Sequence, residues 1–348
     1  MNNVTRMSAF SRLLHRPSLA SLLRHSCVLG VLEHLRRRPG LLVLNYHRIG
    51  EPAGAPFDEG TYSATAGTLR DQVSYMKRWF AMPPSEELLR SLARRSFADP
   101  TVLLTFDDGY RDNYEVAFPV LRELKVPACF FVVTGLLDAP RLPWWDRVAY
   151  SVKRTRVDRL TLAYPEPLTF DLHATPRARV IWRILRACKD ARPFAASRFF
   201  DTLAAATGVD VDSEGLARTL FMPWGGVREL ARSGMTIGSH TATHPVLASL
   251  PEWIQRRELH DSRERIADEI GHKPDMLAYP VGGPEAFSDA TKRLTREAGY
   301  RAAFTFWGCF NRPATIDPFA IARIGVAQAE TWPQFRLQLT LASSPFGY

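Results

Sequence analysis

Val102-Leu103-Leu104-Thr105-Phe106-Asp107-Asp108-Gly109-Tyr110 is the stretch on which the fold turns. Val102–Phe106 is short and apolar without in–out alternation, as in a strand buried on both faces. Two adjacent carboxylates then enter a glycine turn, and a helical pattern follows over Asn113–Leu124. The same sequence of strand, turn and helix recurs along the chain. Strands are predicted at Leu41–Tyr46, Cys129–Val133, Met235–Ser239, Met276–Tyr279, Ala302–Phe306 and Ile321–Val326. Amphipathic helices are predicted at Thr68–Phe80, Val227–Ser233, Pro251–Ile270 and Ser288–Ala298. Gly234, Gly271 and Gly299 stand where such helices usually stop. This alternation points to an α/β fold with a parallel sheet, and seven repeats favour closure into a (β/α) barrel.

The alternation breaks once. Residues 139–222 hold Pro143-Trp144-Trp145, a basic stretch around Lys153–Arg159, and helical patterns over Arg177–Lys189 and Phe194–Thr207. The expected organisation is therefore a basic segment at 1–38 and a barrel over 39–345, with a mostly helical insertion at 139–222.

Four short blocks carry candidate chemistry, all at or just past predicted strand ends, which share one face of a barrel. In the opening block Asp107 and Asp108 point different ways, so one can bind a metal while the other faces substrate; turn formation alone also accounts for Asp-Asp-Gly. In Ser239-His240-Thr241-Ala242-Thr243-His244-Pro245 the histidines at i and i+4 would share one face of a helical turn and reach one divalent ion; a polar loop with incidental histidines is the bland account. Thr241 occupies the position where a HExxH metalloprotease needs its Glu, which excludes that class. Ala278-Tyr279-Pro280-Val281-Gly282-Gly283 is a constrained loop whose backbone can approach a ligand closely. Leu44-Asn45-Tyr46-His47-Arg48-Ile49-Gly50 offers His47 as an acid or base.

Together the Thr-Phe-Asp-Asp-Gly and Ser-His-Thr-x-x-His blocks resemble the polysaccharide deacetylase (NodB-homology) family over roughly Leu41 to Val326. The resemblance implies a distorted (β/α)7-type barrel and a divalent metal, usually Zn2+, held by Asp108, His240 and His244. It implies Asp107 as general base and the Val281 N–H as oxyanion donor. The Tyr46-His47-Arg48 block resembles a permuted branch in which the catalytic acid comes from the first strand, here His47. The family's arginine before the Tyr-Pro loop is Ala278 in this chain, and Arg323 is the residue expected to supply that charge to Asp107. The implied reaction removes an N-acetyl group from an N-acetylhexosamine in a bacterial surface polysaccharide or its lipid-linked precursor. Deformylation of a lipid-linked amino sugar, another amide hydrolysis, or an inactive glycan-binding barrel would use the same scaffold.

The 348 residues carry a net charge of +9, which first suggests nucleic acid or an anionic membrane. Its placement decides between them. Residues 1–38 hold seven Arg against one Glu, and residues 139–222 hold fourteen basic against nine acidic side chains. The remainder is slightly acidic, so nucleic acid is not the expected partner. Phe10–Leu35 sets leucines among arginines at near-helical spacing, which suits peripheral contact with an anionic membrane or packing beneath the barrel. No stretch approaches the roughly 18–20 apolar residues of a membrane span, and no signal peptide is evident. Four separated cysteines without a CxxC pair suit a reducing compartment. The expected location is the cytoplasm, at the inner face of the membrane.

Overall fold

The computed structural model describes residues 39–191, 195–308 and 310–342. The basic segment 1–38, with its amphipathic helix, and Cys309 lie outside the described residues.

The sheet is parallel through its centre. Its strands are β1 (Gly40–Tyr46), β2 (Pro100–Phe106), β3 (Cys129–Val132), β4 (Thr236–Ser239), β5 (Met276–Ala278) and β6 (Ala302–Phe304). They pair in chain order from β1 to β6, every pairing parallel. A seventh segment joins the two edges. Ile321 bridges Phe304, and β7 (Ile324–Gly325) pairs with β1 through Leu44 and Asn45. The circuit therefore closes, but through only a few hydrogen bonds, and this is the distortion of the barrel. An antiparallel piece, Phe310–Asn311, also lies against Leu41 and Leu42.

The apolar runs form strands because their side chains are taken up on both sides. Leu42, Leu44, Val102, Leu104 and Phe130 enter one buried cluster, and Leu41, Val43, Leu103, Cys129 and Phe131 enter another. Helices Ala66–Trp79, Trp224–Arg232, Glu252–Ile270 and Asp289–Glu297 alternate with the strands. Helices Ser85–Arg94 and Trp332–Ala342 are additional to those expected from the sequence. The stretch expected as one helix from Asn113 opens with a π-helical turn, Asn113–Ala117, and becomes α-helical at Phe118–Leu124.

Residues 139–222 are mostly helical, with helices Trp144–Arg154, Arg177–Asp190, Ala196–Thr207 and Ser213–Ala217. They also contain an antiparallel hairpin, Arg159–Leu162 with Leu168–Asp171. Its short, half-exposed strands leave a weaker mark in the sequence than the helical periodicities beside them. Val148, Val152, Leu160, Leu162, Ile181, Ile184 and Phe199 give this region a buried core of its own. Among the described residues no helix is long and apolar enough to cross a membrane.

Candidate active site

The ends of β1, β2, β4 and β5 converge on a cavity of about 360 Å³, lined by His47, Asp107, Asp108, His240, His244, Val281 and Arg323 among others. All seven residues singled out from the sequence are thus in one place.

Asp107 and Asp108 diverge where β2 ends. Asp108 and Gly109 both have positive φ, 72° and 76°, so the chain reverses within two residues. Asp107 turns to Arg323, whose guanidinium grips it with two bonds: Nη1 to Oδ1 at 2.8 Å and Nη2 to Oδ2 at 2.7 Å. Asn45 Nδ2 adds a third at 3.1 Å. Arg323 is itself fixed by donating Nε to the Thr305 carbonyl. Burial would raise Asp107, but Arg323, His240 and His47 outweigh it and hold the carboxyl well below the usual range.

Asp108 faces the histidines. Its Oδ1 lies 3.5 Å from Nε2 of His240 and 3.5 Å from Nε2 of His244. One donor atom from each of the three residues fits within a 4.8 Å cluster. His240 Nδ1 lies 2.8 Å from the Ala278 carbonyl. A carbonyl only accepts, so Nδ1 carries the proton and Nε2 keeps its lone pair for the cluster. Burial lowers both histidines, which favours the neutral form a metal requires.

Asp108 Oδ1 is buried with no hydrogen-bond donor. Burial and the neighbouring Asp107 and Asp146 carboxylates push the Asp108 carboxyl well up. A buried, donorless carboxylate oxygen aimed between two neutral imidazoles is a pronounced deficit of positive charge. One carboxylate and two imidazoles suit a divalent ion with open positions. The residues fit a metal.

The histidines do not share a helical turn, as their spacing suggested. Residues 240–244 form an irregular loop in which Thr241 and His244 have φ of 67° and 61°. Such values cost energy in residues bearing a Cβ, and the loop is held by many bonds. Glu258, buried on helix Glu252–Ile270, accepts from the N–H groups of Ala242 and Thr243 and from the Thr243 hydroxyl. The Thr241 hydroxyl accepts from the His244 N–H. Thr134 and Gly135 donate to the carbonyls of Thr241 and Ala242. A Cβ on Gly135 would lie 2.7 Å from the Ala242 carbonyl oxygen, so this contact needs glycine.

Val281 also lies in the left-handed region, at φ 63°, and its N–H has no acceptor among the described residues. Gly282 beside it donates to Pro280 and accepts from Phe306. A Cβ on Gly282 would sit 2.3 Å from the Phe306 nitrogen, which is why glycine follows Val281. His47 is placed by its N–H to Ser63 Oγ and by Asn113, which donates to its carbonyl. Its ring meets Phe306 edge-on. Burial pushes His47 down to about 4 against the pull of Asp107.

Several residues of the site were not singled out from sequence. Asn45 and Glu258 looked like ordinary strand and helix residues. Trp145 packs its ring 4.8 Å from His244 and donates Nε1 to Tyr110 Oη. Unlike Asn45 and Glu258, Trp145 does stand out in the sequence, as one of the tryptophans of 139–222 that could bind glycan or pack on the barrel. Asp146 next to it accepts from the Asp58 N–H at 3.0 Å. Burial pushes Asp146 up to about 7, with the Asp58 N–H and Arg48 opposing.

Asp146 sets a pH dependence. Unfolded, it releases its proton near pH 4, whereas in the fold it keeps the proton until about 7. Its stabilising effect is therefore complete below pH 4 and is lost as pH rises from 4 to 7. Three units correspond to about 4 kcal/mol. Urea unfolding of wild type and Asp146→Asn at pH 5 and pH 8 should show a smaller loss of stability in the variant; parallel losses would refute this.

Residues 94–303 match the polysaccharide deacetylase family. The chain belongs to that family. The deacetylase homologue YxkH of Bacillus subtilis is 30% identical over 265 residues, covering 76% of this chain and 64% of that protein. The poly-β-1,6-N-acetyl-D-glucosamine N-deacetylase of Escherichia coli is 28% identical over 103 residues, which is 29% of this chain and 15% of that one. The chain thus spans less than two thirds of the length of these curated relatives. In fold it resembles Streptococcus pyogenes deacetylase PplD in complex with acetate (TM-score 0.56, 19% identity, 87% of this chain and 99% of that one). IcaB from Ammonifex degensii is similar too (TM-score 0.55, 21% identity, 87% and 98%).

Proposed function

We propose that this deacetylase hydrolyses the N-acetyl group of N-acetylhexosamine residues in a bacterial surface polysaccharide or its precursor. The observation that carries the reading is the Asp108–His240–His244 cluster beside the Arg323-bound Asp107, on the floor of one cavity. The Escherichia coli and Staphylococcus aureus relatives named as poly-β-1,6-N-acetyl-D-glucosamine N-deacetylases support the amide as the target bond. Asp108, His240 and His244 would hold the divalent metal, Zn2+ being the ion that the family resemblance implies. When bound, such an ion supplies Lewis acidity, making water more acidic and drawing charge from a carbonyl.

The chain's own residues do the rest. Asp107, held ionised and aimed by Arg323 and Asn45, takes a proton from the attacking water. The Val281 N–H donates to the oxygen on which negative charge develops. The amine must leave protonated, and His47, lining the same cavity, delivers that proton. Because burial keeps the resting imidazole neutral, its proton is acquired within the cycle: the one Asp107 takes from the water passes on to His47, which leaves Asp107 ionised again. Acetate and a free amino sugar result. An inactive glycan-binding barrel would have no need to retain both carboxylates, both imidazoles and the guanidinium in contact. Peripheral contact with the inner face of an anionic membrane, through residues 1–38, remains our proposal for its location.

The test is acetate release from N-acetylglucosamine oligomers together with quantification of bound divalent metal. A metal-free, inert wild-type protein on neutral, acidic and lipid-linked N-acetylated glycans would overturn the reading. His47→Ala should keep its metal and lose about a hundredfold in kcat, the lower range for a general acid. Near-normal turnover would assign that proton to another group.

A further inference from the structure

The catalytic cavity does not end at the barrel. Its wall includes Leu185 and Lys189 from helix Arg177–Asp190 of the 139–222 region. An adjoining groove of about 610 Å³ shares Asp58, Gly60, Leu185 and Lys189 with it and runs on past Arg177 to Trp182 and Arg186. Trp182 and Arg186 also line a further cavity of about 570 Å³. One helix therefore forms a side of a continuous path leading away from the candidate site.

The charge on this helix is uneven. Arg177, Arg179, Arg183, Arg186 and Lys189 face a single carboxylate in the helix, Asp190. Arg183 pairs with Glu166 and Arg186 with Asp190. Arg177 spends its hydrogen bonds on the carbonyls of Val152 and Thr155, which leaves its charge without a carboxylate. Lys153, across the groove, is engaged by two carbonyls and by Glu59. Asp58 accepts from the Gly60 N–H, and makes no ion pair with Lys189. Lys189 has no hydrogen bond or ion pair among the described residues. It stands where groove and catalytic cavity overlap.

An unpaired ammonium at the junction of a binding path, with a guanidinium lacking a carboxylate partner farther along the same groove, is arranged for an anion. We propose that Lys189 binds an anionic group, a phosphate or a carboxylate, carried on the glycan next to the acetamido sugar being hydrolysed. The inference rests on the deacetylase reading and narrows its substrate class to acidic glycans. It also has a converse. A neighbouring sugar that has already lost its acetyl group carries an ammonium and is repelled from the same position.

The test uses three substrates: a neutral N-acetylglucosamine disaccharide, its counterpart with a uronate neighbour, and N-acetylglucosaminyl 1-phosphate. Wild type should favour at least one acidic compound over the neutral one by about tenfold in kcat/KM, as expected for a charge-assisted hydrogen bond. The advantage should lie in KM and shrink with added salt. Lys189→Gln should bring the ratio close to one, and Lys189→Arg should restore it. The two acidic arms tell a chain carboxylate from an end phosphate. A ratio near one in wild type, or a preference unchanged in Lys189→Gln, overturns the proposal while leaving the deacetylase reading intact. If no compound is hydrolysed, that reading falls. Calorimetric binding of the acidic compounds to wild type and Lys189→Gln then decides the anion site by itself, equal affinities refuting it.

Discussion

Asp108→Asn protein purified from metal-replete medium should carry no stoichiometric divalent cation and should release acetate at least about a thousandfold more slowly than wild type. The amide keeps an oxygen where Asp108 has one but removes the charge that faces both imidazoles. Losing about 4 kcal/mol of transition-state stabilisation, the scale of one missing electrostatic contributor, corresponds to about a thousandfold in rate. His240→Ala should behave alike, since it deletes the imidazole whose tautomer Ala278 fixes. The stability effect has the opposite sign. In metal-free protein the buried Asp108 carboxyl is pushed up by burial and by Asp107, so the amide should leave the metal-free Tm unchanged or raise it. Added Zn2+ should raise the Tm of wild type, because it binds the native state only, and should leave Asp108→Asn where it was. Metal analysis, acetate assay and thermal melts with and without Zn2+ check all three. A variant that retains both stoichiometric metal and turnover would remove Asp108 from the ligand set.

The second large effect concerns Asp107 and Arg323, a pair 3% and 1% exposed. Asp107→Asn should keep the metal and lose about a thousandfold in kcat, since the proton acceptor is gone. Arg323→Met should lose about 3–5 kcal/mol of stability, because it leaves a buried carboxylate uncompensated. The double variant should be more stable than Arg323→Met alone, as the stranded charge disappears with its partner. Urea unfolding of the four proteins completes the cycle. Strict additivity would mean that the two residues do not act as a buried pair. Arg323→Lys separates charge from geometry: it keeps the cation but cannot grip both carboxylate oxygens. It should retain most of the stability and still lose activity.

The strands were legible because doubly buried strands read as uninterrupted apolar runs, as Leu41–Tyr46 and Val102–Phe106 do. The site was legible because its chemistry sits at their ends. What stayed hidden depended on distance in the chain. Nothing near Glu258 in sequence announces that it holds the loop of Thr241–His244, fifteen residues from its nearest partner. Asn45 was in plain view without a role, because its partners Asp107 and Arg323 come from distant segments of the chain. The two histidines were rightly grouped by their spacing, but for the wrong geometric reason. Left-handed residues at Thr241 and His244 bring the rings together where a helical turn was expected. Backbone conformations of that kind, in residues that are not glycine, leave no mark in a hydropathy pattern. The half-exposed hairpin of residues 159–171 was missed for a related reason, since its burial alternates over only four residues per strand.

The segment that closes the barrel is also the segment that carries Arg323. Ile321 bridges Phe304, β7 pairs with Leu44 and Asn45, and between them the guanidinium reaches Asp107. During synthesis Asp107 leaves the ribosome more than two hundred residues ahead of its counter-charge. Until residues 321–325 arrive, a nascent chain has both an unclosed sheet and an uncompensated carboxylate. Closing the ring and supplying Asp107 with its counter-charge are then a single event.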